Sequence, residues 1–228
     1  MKIAVLGTGI VGRTLAEKLA SSGHAVVIGT RDVGALMART EGGLAGTPFS
    51  AWIGEHSDIG VAPFAEASAD AELLVNATEG SGSVDALNAA GAGNLAGKIV
   101  VDVANPLDFS AGFPPTFTVA NTDSLGEQIQ RAFPDAKVVK TLNTVTAMLM
   151  TNPGLVDGGE HHMFVAGNDD AAKAEVTRLL TEEFGWRSVI DLGDITCARP
   201  MEMYLALWVR LFMKIGPLFN VRIVSAGG

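Results

Sequence analysis

The residues best placed to do chemistry begin with Gly7-Thr8-Gly9-Ile10-Val11-Gly12, a G-x-G-x-x-G within the first dozen positions. Alone the pattern is weak, because 27 glycines generate matches by chance. Its context carries the weight. An apolar run, Ile3–Leu6, precedes it, a helical pattern follows, and a second apolar run, Ala25–Ile28, completes a strand–helix–strand unit. In such a unit Gly7 makes the tight turn out of the strand, and Gly9 leaves room for a pyrophosphate that a side chain would push away. Gly12 lets helix and strand pack closely. The helix N-terminus then offers unpaired N–H groups to phosphate oxygens.

The end of the second strand selects the dinucleotide. It reads Ile28-Gly29-Thr30-Arg31-Asp32. An NAD site usually places an acid there for the ribose 2′-OH, whereas a hydroxyl and a guanidinium suit a 2′-phosphate. Asp32 is open to two readings, a displaced NAD acid or the N-cap of the next helix, and the balance favours NADP(H). Further polar candidates sit at carboxyl ends of strands, where open α/β sheets bind ligands. They are Asn76 and Thr78, then Asp102 and Asn105-Pro106, then Asn143 and Thr144. Each either lines the nicotinamide side of a cleft or only satisfies turn backbone.

Tyr204 is the only tyrosine and position 208 is Trp, so a Tyr-x-x-x-Lys acid/base pair is excluded. His161 and His162 are adjacent on a strand, point to opposite faces and read as structural, so no metal is expected. Cys197 reads as core. Lys140 is either a proton donor or a strand lysine beside a phosphate or carboxylate. No residue is assigned a catalytic role. Hydride transfer between two redox cofactors needs no dedicated acid, because the cofactors carry the chemistry.

The elements that position these residues alternate. Strands are expected at Ile3–Leu6, Ala25–Ile28, Ile59–Ala62, Leu73–Ala77, Ile99–Val103, Val138–Leu142, His162–Ala166 and Ser188–Leu192. A helix from about Thr196 to Lys214 and a short last strand, Val221–Val224, follow. The pattern predicts an α/β fold of Rossmann type, doubly wound and mostly parallel. Residues 1–228 form one domain, with an acceptor-site extension over about 196–228. Thr47–Ser57 is the least regular segment, and its Phe49 and Trp52 suggest a flap. It is a surface decoration or a functional lid.

The chain has 228 residues, 48% of them hydrophobic, enough for a sizeable core and far from a disordered composition. Its formal net charge of −9 argues against nucleic acid as a partner. A single cysteine fits a reducing cytoplasm, and the longest apolar stretch, Met201–Ile215, is interrupted by Glu202, Arg210 and Lys214, so no membrane span is expected. The last helix carries Met201, Tyr204, Leu205, Trp208, Leu211 and Phe212. That apolar face either forms a homodimer or packs on the sheet of its own chain.

With these motifs in hand, the chain resembles the NADP oxidoreductases dependent on coenzyme F420, a deazaflavin. It is also similar to the soluble reductase domain of the STEAP metalloreductases. The resemblance runs through Lys2–Gly12, Gly29-Thr30-Arg31, Asp102-Val103-Ala104-Asn105-Pro106, Lys140-Thr141-Leu142-Asn143-Thr144 and Asp191-Leu192-Gly193-Asp194. It implies that Thr8, Gly9, Ile10 and Val11 contact pyrophosphate and adenosine, and that Thr30 and Arg31 hold the 2′-phosphate. By the same resemblance Asn76, Ala77 and Thr78 line the ribose–nicotinamide path. Asn143, Thr144 and Val145 flank the nicotinamide, with the Met201–Leu205 region as an apolar shelf. Arg199, Arg210 or Lys214 either meets an anionic acceptor tail or is a solvated helix charge. The implied activity is hydride transfer between NADP(H) and coenzyme F420. Two alternatives stay open: an NADPH-dependent reductase of a flavin, a metal chelate or a small imine or carbonyl, and a non-catalytic NADPH sensor.

Overall fold

Apolar runs four to six residues long become strands because both of their faces are covered. In the computed structural model, which describes residues 1–226, eight strands form one sheet. The last two positions of the expected extension lie outside the described residues. The strands are β1 (Lys2–Leu6), β2 (Ala25–Thr30), β3 (Ile59–Pro63), β4 (Leu73–Asn76), β5 (Ile99–Asp102), β8 (Lys137–Thr141), β9 (His162–Gly167) and β10 (Ser188–Asp191). A separate hairpin pairs β6 (Leu107–Asp108) with β7 (Thr116–Phe117). The sheet order is β10-β9-β8-β5-β4-β1-β2-β3. Within this sheet all pairings are parallel except β8 with β9. The sheet is therefore mostly parallel and doubly wound, as the sequence predicts.

Alternation along β1 divides the core. Ile3 and Val5 face a layer that includes Leu15, Leu19, Met150 and Val176, while Ala4 and Leu6 face Phe64, Leu87 and Ile129. Strand β1 pairs with β2 on one side and β4 on the other, so the chain reverses its direction of winding there. The glycine turn leaves β1 at this switch point, where open α/β sheets form their ligand crevice.

Three expectations change. Val221–Val224 is extended but is not a strand. Among the described residues one backbone bond ties it down, from the His162 N–H to the Val221 carbonyl at 3.1 Å, beyond the part of β9 that β8 pairs, and the Ile223 N–H is taken by the His162 ring rather than by a ladder partner. The last helix is two, Ala198–Met203 and Leu205–Ile215, joined at Tyr204 and preceded by a tight turn over Ile195–Cys197. Thr47–Ser57 contains a helix, Phe49–Gly54, whose Phe49 and Trp52 are buried in the core beside Leu15 and Leu36.

Candidate functional site

The glycine turn is dictated by space. Gly7 has φ +131°, and a Cβ there would lie 2.3 Å from the Ala77 carbonyl oxygen. A Cβ on Gly12 would lie 2.1 Å from the Gly7 carbonyl oxygen. Gly9 is different: a Cβ there would meet no atom within 4 Å. Gly9 is the N-cap of helix Ile10–Ser21, supplies no side-chain cap, and is followed by a first turn without an acid. Free N–H groups therefore face open space at the positive end of the helix dipole, an arrangement suited to an anion.

At the end of β2, Thr30 is buried and Arg31 is exposed. The Asp32 carboxylate accepts the Ala35 N–H at 2.9 Å and caps helix Val33–Met37. The capping reading of Asp32 is therefore the observed one, and the carboxylate is occupied.

Along the carboxyl ends of β4, β5 and β8 runs a buried polar row. Ser83 and Thr78 share a hydroxyl–hydroxyl bond, and Thr78 donates to Asn76 Oδ1 at 2.6 Å. Asn76 donates to Asp102 Oδ1 at 2.8 Å, and Asp102 Oδ2 accepts Lys140 Nζ at 2.9 Å. Lys140 lies 2.8 Å from Glu202 Oε1, and the Glu202 carboxylate accepts the Leu125 and Gly126 N–H groups that start helix Leu125–Ala132. Lys140 is 0% exposed. Burial pushes its ammonium down, but the fields of Asp102 and Glu202 and their hydrogen bonds outweigh this and hold it above the ordinary lysine value. Of the two readings of Lys140, the carboxylate partner is the one observed.

Beside this row Asn105 and Asn143 bond reciprocally. Asn143 Nδ2 donates to Asn105 Oδ1 at 2.9 Å and to the Met201 carbonyl at 3.1 Å, and Asn105 Nδ2 donates to the Asn143 carbonyl at 2.9 Å. The helix Ala198–Met203 is thereby stitched to the sheet. Asn143 and Thr144 are 2% and 1% exposed, yet Asn143 Oδ1 and Thr144 Oγ1 have no partner among the described residues. Most buried polar atoms in folded proteins have a partner, and an ordered water would complete these two. Val145 packs into the core next to Leu142 and Leu149.

Farther along the same elements, a cavity of about 240 Å³ opens between the β6–β7 excursion and the last helix. Leu107, Pro115, Phe117, Leu205 and Val209 line it, with Arg210 at its wall. Arg199 is engaged elsewhere, in an ion pair with Glu127 that holds that carboxyl below its usual range. Cys197, read as core, is only half buried, and its Sγ lies 3.0 Å from the Leu192 carbonyl. His161 is packed edge-on to Trp186 and bonded to Pro153 and Asn220, a structural histidine. Sequence reasoning missed Glu202 and Ser83. Glu202 had one signal, an acid inside an otherwise apolar helical face.

Fold and crevice define a Rossmann-type, NADP-dependent oxidoreductase. Residues 2–106 match the family described as NADP oxidoreductase coenzyme F420-dependent. A crystal structure from Arthrobacter sp. FB24, assigned as an F420-dependent NADP reductase, is 61% identical. It covers 99% of this chain and 100% of its own, with a TM-score of 0.95. The F420-dependent NADP reductase of Methanothermobacter marburgensis is 27% identical over 94% of this chain and 93% of its own. Metalloreductase STEAP3 of Rattus norvegicus is 29% identical over 88% of this chain, which spans only 36% of that protein. The chain belongs to the F420-dependent NADP oxidoreductase family.

Proposed function

We propose that the protein transfers a hydride between NADP(H) and coenzyme F420 in one dinucleotide-binding domain whose C-terminal extension walls the acceptor. The observation that carries the reading is the open space over Gly9 at the N-terminus of helix Ile10–Ser21, where a Cβ would meet no atom within 4 Å. It suits the pyrophosphate of a dinucleotide, with Asn143 and Thr144 flanking the nicotinamide. Gly7, Thr8, Ile10, Val11 and Gly12 shape that cradle, and Thr30 and Arg31 meet the 2′-phosphate. Asn76, Ala77, Thr78 and Asn105 border the ribose–nicotinamide path, with Val145 behind. NADPH supplies the hydride, and the deazaflavin takes it with one proton from water. The chain's own task is to hold two rings in register, and alignment alone supplies much of the rate. Arg210, on an otherwise apolar wall, would meet the acceptor's anionic tail.

Mixing the protein with NADPH and oxidised F420, and separately with FMN, tests this through loss of acceptor absorbance. Turnover with F420 is expected. Turnover with FMN alone would replace the acceptor, and no turnover with either would leave a dinucleotide-binding protein. In the same preparation Arg31→Ala should weaken NADP binding by about 1.5–3 kcal/mol and leave NAD nearly unchanged. Equal losses for both dinucleotides in a titration would remove Arg31 from the 2′-phosphate site.

The reading also includes a cytoplasmic homodimer. Leu207, Met213 and Ile215 stay more than half exposed on the last helix, beyond what one core stripe requires. Sedimentation as a single 23.6 kDa species at micromolar concentration would exclude the dimer. No helix among the described residues is long and apolar enough to cross a membrane.

A further inference from the structure

Arg13 follows the last glycine of the turn and is only 7% exposed. Its Nε donates to the Thr8 carbonyl at 2.9 Å and its Nη1 to the Thr47 carbonyl at 2.6 Å. The guanidinium lies over two rings, 5.2 Å from the Phe49 centroid and 5.6 Å from that of Trp52. All four partners are neutral, and among the described residues no carboxylate forms an ion pair with it. Glu17, one turn along, is engaged with Trp52 Nε1 and His56 instead. A buried cation is normally paired, because removal from water is costly. This one also sits in the first turn of a helix, where the dipole repels it.

The orientation of one peptide gives this cost a purpose. In a trans peptide the carbonyl and the following N–H point in opposite directions. Arg13 holds the Thr8 carbonyl on its own side, so the Gly9 N–H is turned away from the guanidinium, and beside it a Cβ on Gly9 would meet no atom within 4 Å. We propose that Arg13 is a positioning residue of the dinucleotide site. It orients the Thr8–Gly9 peptide for a diphosphate and supplies a positive charge, in contact with no carboxylate among the described residues, that the diphosphate neutralises. Helix Phe49–Gly54 is then neither a lid nor a decoration. With the Thr47 carbonyl just before it, it is a strap that grips the guanidinium against two aromatic faces.

The inference rests on the dinucleotide reading, and one calorimetric series separates the two. Wild type, Arg13→Met and Arg13→Lys are titrated with NADP⁺ at low and physiological salt. Arg13→Met should bind about 10–100-fold more weakly, the range expected for losing charge-assisted hydrogen bonds. Arg13→Lys should fall between, because an ammonium keeps the charge but cannot span both carbonyls and lie flat on the rings. Wild-type binding should weaken more steeply with salt than that of Arg13→Met. In turnover, KM for NADPH should rise by the same factor as Kd while kcat at saturation stays, a split that a general folding defect would not produce. Wild type that does not bind NADP⁺ would sink the proposed function itself. Wild type that binds, with either variant within twofold of it, would overturn the role of Arg13 alone. Should Arg13→Met fail to fold, Arg13→Lys decides.

Discussion

Lys140→Met should destabilise the protein by about 3–5 kcal/mol, the range for removing one partner from a buried ion pair. The ammonium is fully enclosed, with Asp102 Oδ2 at 2.9 Å and Glu202 Oε1 at 2.8 Å. Methionine fills much of the same volume but leaves two carboxylates facing each other without a counter-ion. The damage should spread in both directions along the row. Asn76 loses an anchored Asp102, and the start of helix Leu125–Ala132 loses a carboxylate fixed in place by the lysine. Glu202→Gln should cost less, because an amide oxygen still accepts one of those N–H groups. Denaturant unfolding of the two single variants and the double variant measures the coupling. A loss below about 1 kcal/mol for Lys140→Met would show that the row is held by something other than its charges.

Gly9→Val should abolish dinucleotide binding and leave a folded protein. The residue has φ −77° and ψ −174°, extended backbone open to any side chain, and a Cβ there would meet no protein atom within 4 Å. The added isopropyl group therefore costs the fold little and fills the space assigned to the pyrophosphate. Thermal melts read both halves of the expectation. Wild type with NADP⁺ at a hundredfold excess over Kd should gain about 2.7 kcal/mol by linkage, and the variant should gain nothing. Gly12→Val is the contrasting control, since its Cβ would collide with the Gly7 carbonyl and disturb the turn itself. A Gly9→Val protein that still shifts with NADP⁺ would place the pyrophosphate elsewhere.

The backbone plan was legible in the residues because its causes are local. Continuous apolar runs mark strands covered on both faces, and all eight strands of the sheet lie where such runs were found. The glycine turn was legible for a related reason: Gly7 and Gly12 have no room for a Cβ, and Gly9 leaves the space above the turn open. Asp32 could be read as a cap, but only the 2.9 Å bond to Ala35 separated that from an NAD acid.

What tertiary structure alone decided is the polar architecture, because the partners are remote in sequence. Lys140 lies 38 residues from Asp102, and Glu202 lies 76 from Gly126. Arg13 and the Thr47 carbonyl are 34 apart, so the irregular segment gave no sign that it grips the glycine turn. A side chain's charge is visible in a sequence, but its burial and its counter-ion are not. Val221–Val224 shows the limit in reverse. Its residues favour a strand, yet among the described residues one backbone bond ties it to β9, at His162, while the Ile223 N–H goes to the His162 ring instead, and one bond does not make a ladder.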